Sequence, residues 1–379
     1  MGSIVAIVVA ITIGSLVMLK WDKWAVRKIE YKRYLDKDRI FPGEQVIMTT
    51  EIVNRKLLPL PWIEVATEVP NSFSFNDQKT VKYSKEGNKI YRVVTSLISY
   101  QRVRRRNSLI CEARGYFNIY DLDLSIGDFF GVKTAEMKVT YPMKLIVYPK
   151  IKPLEELIVP YKEPQGEISV KRWIMPDPIQ VIGAREYTSR DSYNTIDWKT
   201  TARMGEMYVK KFDFTANPSL MMFLDVQTSK VYWQDVNTDF IENGIEIIAA
   251  MTERAIKEGV PVGYTSNGYF NGENPSVFIN PELRRSQRVA ILEALAKTSY
   301  SRRLPLDKLI NMRSKQLDRG SCIVIATAHV SDGLRNEINY LAKQGYMVKV
   351  ILLDNDARAA GLKKEVELIY SKNSGLLAG

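Results

Sequence analysis

Apolar positions along this chain follow three successive patterns. From Met1 to Leu19 no residue is charged, and Ile4–Leu19 is almost wholly apolar. At ~1.5 Å per residue a helix over that stretch reaches ~28 Å, close to the ~30 Å hydrocarbon core of a bilayer. The run predicts a transmembrane anchor over residues 1–19. A cleaved signal peptide would carry basic residues ahead of the apolar stretch. None precede it here, and Lys20-Trp21-Asp22-Lys23-Trp24 follows, which suits a retained anchor with Trp21 and Trp24 in the interfacial aromatic belt. Residues 36–150 then show short β-branched and aromatic runs between turn signals: Gln45–Val53, Trp62–Val69, Lys89–Ser99, Asn107–Ala113 and Lys144–Tyr148. A β-sandwich is the expected closure. From Ser219 onward the pattern changes again. Continuous apolar runs at Ser219–Val226, Val260–Thr265, Ser321–Ala328 and Tyr346–Leu353 read as buried strands. Helical spacing lies between them at Asn237–Glu258, Pro281–Thr298, Leu306–Gln316 and Leu334–Gln344, with Asn280 as an expected N-cap. Such alternation predicts an α/β doubly wound sheet over residues 215–379. Residues 151–214 form a joining segment expected to lie against that last domain.

Charge refines this picture. The chain has 379 residues and a net charge of +11. Residues 20–35 form a basic juxtamembrane segment, with Lys20, Lys23, Arg27, Lys28, Lys32 and Arg33 set against Asp22 and Glu30. Flanking cations remain in the cytoplasm, so the expectation is a single-pass protein of the cell membrane with its N-terminus outside and the bulk of the chain cytoplasmic. The same cations attract anionic membrane lipid. Two cysteines and one histidine exclude a disulfide framework and a multi-histidine metal site. Arg102, Arg104 and Arg106 alternate as on the solvent face of a strand, without the interleaved stacking aromatics of a nucleic-acid surface, and no nucleic-acid partner is expected.

The segment Gly183–Asp213 is unlike a linker. It interleaves Arg185 with Glu186, Arg190 with Asp191, and Asp197 with Lys199 and Arg203, among Tyr187, Tyr193, Trp198 and Tyr208. The pattern R-E-Y-x-x-x-D-x-x-x-x-I-D-W-K-x-T-A-R over Arg185–Arg203 closely resembles the signature of domain-of-unknown-function family fifty-eight. Further upstream, RIFPGEQV at Arg39–Val46, NRKLLPLPW at Asn54–Trp62, Arg114-Gly115-Tyr116 and Asp128-Phe129-Phe130-Gly131 are similar to that family's N-terminal β-domain, with Phe129 where proline is usual. The resemblance implies a bacterial source and a von Willebrand factor A-like C-terminal domain. It also implies association with a MoxR-type AAA+ ATPase and other membrane proteins, but no settled activity.

Factor A-type domains can hold a divalent cation on an Asp-x-Ser-x-Ser turn plus later Thr and Asp ligands. In this chain the turn reads Asp225-Val226-Gln227-Thr228-Ser229, and Ala326-Thr327-Ala328-His329 stands where a later Asp is expected. Magnesium needs several hard oxygens in octahedral array, so Asp225 and Ser229 form at most a degenerate Mg site, and Asp225 as a turn cap is the simpler reading. Cys111 and Cys322 sit in apolar runs and read as core residues. No Gly-rich phosphate loop is present. Glu186, Asp191 and Asp197 have cationic neighbours that keep carboxylates ionised, which points to an interaction face or structural clamp comprising Arg185, Glu186, Tyr187, Arg190, Asp191, Asp197, Trp198, Lys199 and Arg203. The expected function is a non-catalytic, membrane-anchored cytoplasmic scaffold. The alternative is a cation-dependent receptor or enzyme using Asp225 and Ser229.

Overall fold

The structure is a computed structural model. It describes residues 20–75, 81–83, 88–129, 134–160, 179–188, 196–214, 219–231, 236–272, 276–318, 321–354 and 361–372. The chain divides into two compact units, Met1–Pro149 and Lys150–Gly379.

The first unit is built from two sheets. One is four-stranded in the order β1 (Ile29–Leu35), β3 (Gln45–Asn54), β8 (Arg102–Cys111), β5 (Phe73–Phe75). The other is six-stranded in the order β2 (Arg39–Ile40), β10 (Thr134–Val147), β9 (Gly115–Gly127), β4 (Leu60–Val69), β7 (Lys89–Leu97), β6 (Val81–Tyr83). Alternation puts Val46, Met48 and Leu109 of the first sheet against Ile119, Leu145 and Val147 of the second in one buried cluster. Strand β9 is absent from the sequence expectation, and its register explains why. The β9–β10 pairing shifts between Thr140 and Met143, so buried Ile119 and Leu122 are three residues apart and the period-two signal breaks.

Two expectations for this unit change and a third gains detail. Trp21 does not face an interface. It lies in the short helix α1 (Trp21–Val26), buried at 2% exposure, with its ring edge-on to Phe129 at 6.4 Å. Arg33, counted above among the surface cations, is only 1% exposed and donates to Thr67 Oγ1 (3.1 Å) and the Ile119 carbonyl (3.5 Å). Its burial lowers the guanidinium pKa. Arg102 and Arg104 do face outward, but both converge on Glu51 of the neighbouring strand at 3.3 and 2.9 Å. Strand β5 pairs with β8 only at Leu109–Cys111, so along Arg102–Arg106 the one paired neighbour of β8 among the described residues is β3.

The second unit opens with α2 (Leu154–Leu157) and carries a seven-stranded sheet ordered β11 (Ile158–Pro160), β21 (Glu367–Ser371), β20 (Met347–Leu352), β19 (Cys322–Thr327), β14 (Leu220–Leu224), β15 (Val262–Ser266), β17 (Phe278–Glu282). The five inner strands run parallel, and β11 and β17 are antiparallel edges. Helices α4 (Thr238–Lys257), α5 (Gln287–Lys297), α6 (Leu306–Ser314) and α7 (Asp332–Lys343) connect the inner strands. Asn237 caps α4 by accepting from the Asp239 and Phe240 amides at 3.0 and 3.4 Å. Met221, Phe223, Ile323, Ile325, Val350 and Leu352 bury one sheet face against Leu309, Ile310, Leu334 and Ile338 of α6 and α7. Two strand pairs stand apart from this sheet: β16 (Gly268–Phe270) with β18 (Thr298–Arg302), and β12 (Ile179–Glu186) with β13 (Tyr208–Phe214).

The expected fold class therefore needs correction. The transmembrane anchor expected at residues 1–19 lies outside the described residues, and no described helix is long and apolar enough to cross a membrane. The described chain is mostly β-sheet, arranged in several sheets, and its C-terminal sheet departs from the parallel, doubly wound one expected of a von Willebrand factor A-like domain by its two antiparallel edges. The physical reason shows at Pro281. Read as a helix start with Asn280 as its cap, Pro281 instead sits in edge strand β17, where a residue without an N–H is tolerated. The helix begins only at Gln287, after Ser286.

Edge strand β17 lies hard against its neighbour. A Cβ on Gly263 of β15 would stand 2.6 Å from the Ile279 carbonyl oxygen and 2.7 Å from the Pro281 nitrogen, both backbone atoms. Gly263→Ala is expected to destabilise the second unit by about 1–3 kcal/mol, the usual range for overpacking. A lowered urea midpoint with preserved circular dichroism would show it, and an unchanged midpoint would refute it.

Candidate interaction site

The signature segment folds as a hairpin with a short helix in its connection. Strands β12 and β13 pair antiparallel from Ile179↔Phe214 to Glu186↔Tyr208, and Ile196 bridges to Val209. Those last two residues, at 3% and 1% exposure, are the apolar seat of the connection. Helix α3 (Trp198–Met204) follows Ile196 because Asp197 caps it. The Asp197 carboxylate accepts from the Lys199 and Thr200 amides, each at 3.2 Å, and from Thr200 Oγ1 at 2.9 Å. The Thr200 hydroxyl holds this carboxyl below its ordinary pKa. Gly205 ends the helix at φ +78°, a left-handed position that favours glycine. Thr201 Oγ1 then accepts from the Tyr208 amide at 3.0 Å and locks the turn into β13.

Helix α3 buries none of its residues. Trp198 is 68% exposed, Met204 60% and Met207 44%. Lys199, Arg203 and Lys210 are exposed beside them, and no ion pair forms at these three among the described residues. Arg185 donates to the Glu186 carbonyl at 3.1 Å. Arg190 and Asp191 lie outside the described residues. Asp197 thus serves as a local cap, while the large apolar and cationic side chains around it face solvent.

Asp225 has a different role. It follows β14 at the carboxyl edge of the sheet and is 3% exposed. Its Oδ1 accepts from the Gln227 amide (2.9 Å) and Asn267 Nδ2 (2.7 Å), and its Oδ2 from Thr327 Oγ1 (2.9 Å). Asn267 in turn accepts from the Val226 amide at 2.9 Å. One carboxyl therefore ties together the ends of β14, β15 and β19. Burial pushes its pKa up to about 6, against the pull of these three donors and of Arg302.

These residues do not fit a divalent cation. Both Asp225 oxygens are engaged by protein donors, and the Ser229 hydroxyl donates to the Val231 carbonyl at 2.8 Å. Gln227 donates to the Ser229 carbonyl at 2.8 Å and accepts from Arg302, while Asp332 is paired with Arg335. Among the described residues no group of three or more His, Cys, Asp or Glu is placed to hold a metal. Beyond Asp225 the carboxyl edge opens into a cleft of about 470 Å³ lined by Lys230, His329, Ser331, Arg335 and Asp354 among others. Burial and the neighbouring Lys230 and Arg335 lower the His329 pKa. Cys322 is buried in β19 and its thiol is pushed up to about 11, and Cys111 is likewise raised by burial. Both thiols stay protonated at neutral pH.

Comparison with known proteins gives a family match over part of the chain and distant neighbours. The chain is 20% identical over 253 residues to the uncharacterized protein YeaD of Bacillus subtilis (strain 168), covering 65% of this chain and 57% of that protein. It thus spans little more than half of that relative's length. A non-cellulosomal cohesin from the archaeon Archaeoglobus fulgidus is 15% identical, with a TM-score of 0.22, covering 31% of this chain and 91% of that one. The sporulation control protein Spo0M of Bacillus subtilis is 12% identical, with a TM-score of 0.18, covering 32% of this chain and 50% of that one. Residues 183–367, which begin at the hairpin and end in the last strand of the large sheet, match the family described as Protein of unknown function DUF58.

Proposed function

We propose that this chain is a non-catalytic adaptor that binds a protein partner through the hairpin–helix arm at 179–214. The observation that carries the reading is Trp198, which lies in the signature and is 68% exposed on a helix that buries nothing. An exposed tryptophan flanked by methionines and unpaired cations has the composition of an interface anchor. A clamp would bury those same side chains. The resemblance of the signature supports a MoxR-type AAA+ ATPase as the partner. The test is retention of the purified ATPase on the immobilised full chain, with and without nucleotide. Retention that survives washing supports the reading, and no retention in either nucleotide state refutes that partner.

A further inference from the structure

One end of the first unit gathers three loops into a single tip. Lys56 is the hub of this tip: its ammonium donates to the Trp24 and Arg27 carbonyls, each at 2.8 Å, and to the Ala25 carbonyl. Asn54 Nδ2 donates to the Leu58 and Ile98 carbonyls at 2.9 and 3.0 Å. The Tyr100 amide donates to the Lys56 carbonyl at 3.2 Å, and the Arg55 amide to the Lys28 carbonyl at 3.0 Å. The loops are thus fixed against one another by bonds to main-chain atoms, which leaves their side chains free to face outward.

What they present is apolar. Leu57 is 74% exposed, Tyr100 69%, Ile98 67% and Trp24 41%. Lys20, Lys23, Arg27 and Lys28 are exposed on the adjoining segment, and none is in an ion pair among the described residues. Apolar tips ringed by unpartnered cations match the chemistry of a lipid surface, where the rings and aliphatic chains enter the headgroup layer and the cations meet phosphate. Trp and Tyr are the residues that favour that depth. The uncharged sequence run Met1–Leu19 joins the tip directly at Lys20.

We propose that this tip lies on an anionic bilayer, with Leu57, Ile98, Tyr100 and Trp24 inserted among headgroups and Lys20, Lys23, Arg27 and Lys28 against anionic phosphates. The test uses the full chain carrying Leu57→Cys labelled with an environment-sensitive fluorophore; both native cysteines are buried. Because the apolar N-terminal run can itself partition, binding is read at the label and not by co-sedimentation. Vesicles of equimolar phosphatidylcholine and phosphatidylglycerol should shift the emission to the blue. A label at Glu112→Cys, beyond the far end of β8, should stay silent. The combined Lys23→Glu, Arg27→Glu, Lys28→Glu variant should weaken the response by more than about tenfold, since each basic residue near an anionic surface is worth roughly fivefold. The proposal is overturned by a silent Leu57 label on vesicle-bound protein. It is equally overturned by an equal shift on phosphatidylcholine alone, or by a shift seen only when a protein partner is added.

Discussion

Asp225→Ala is expected to destabilise the second unit by about 2–4 kcal/mol, whereas Asp225→Asn should cost less than about 1 kcal/mol. Alanine strands the Asn267 and Gln227 amides at the end of a buried strand while the Thr327 hydroxyl keeps the His329 carbonyl, and each stranded group carries a penalty of about 1–3 kcal/mol, partly relieved where it finds a new partner. Asparagine keeps an oxygen for the Gln227 and Asn267 donors. Its new amide can donate to Thr327 Oγ1, because that hydroxyl already has the His329 carbonyl at 3.0 Å as a second acceptor. Urea unfolding followed by circular dichroism separates the two outcomes. A cation site predicts otherwise: loss of function in both variants, and stability that depends on added Mg2+.

The same pair fixes the sign of a pH effect. The folded pKa of Asp225 is about 6, above the ordinary aspartate value of 3.8. The native state therefore binds this proton more tightly between those limits, and the group's contribution to stability falls as pH rises from about 4 to 6 and is constant above. Glu30, Glu51 and Asp197 are shifted downward and act in the opposite direction. The informative quantity is thus the difference between wild type and Asp225→Asn. Wild type should gain on the variant as pH drops from 7 to 5, and a constant difference across that range would contradict the buried-carboxyl account.

The second large effect concerns binding. Trp198→Ala should weaken capture of the ATPase by more than about 2 kcal/mol, roughly thirtyfold, as expected for a desolvated aromatic anchor. The fold should persist, because the arm rests on Ile196 and Val209 and on the Asp197 cap, none of which involves the indole. Lys199→Glu with Arg203→Glu should weaken association further and flatten its salt dependence. Interferometry at two ionic strengths measures both. Unchanged affinity in a folded Trp198→Ala protein would remove the arm from the interface.

How far the sequence revealed this molecule depends on the range of the interactions involved. Period-two runs bounded by turn residues located β3, β4 and β7 to within two residues of their ends, since strand alternation is local. Helix α4 was legible for the same reason, its stripe and its Asn237 cap being contiguous. A register shift hides strand β9, and Pro281 reads as a helix start because its edge position depends on a partner elsewhere in the chain. Charge alone places Arg33 at the surface, although the two-sheet core supplies Thr67 and the Ile119 carbonyl to receive it. The role of Asp225 was hidden most completely, since two of its three donors, Asn267 and Thr327, lie 42 and 102 residues away. At the arm, residue types suggested pairing between neighbours in sequence, but the fold gives Asp197 to its own helix and leaves Lys199 and Arg203 to solvent.

The central claim, that the signature arm is a docking surface, is tested most directly by placing a photo-crosslinking residue at position 198 of the full chain and irradiating it with the purified ATPase. The account predicts a covalent adduct from position 198 and none from position 340 on α7, whose tyrosine is also half exposed. Bound ATPase that crosslinks from position 340 and not from position 198 would contradict it.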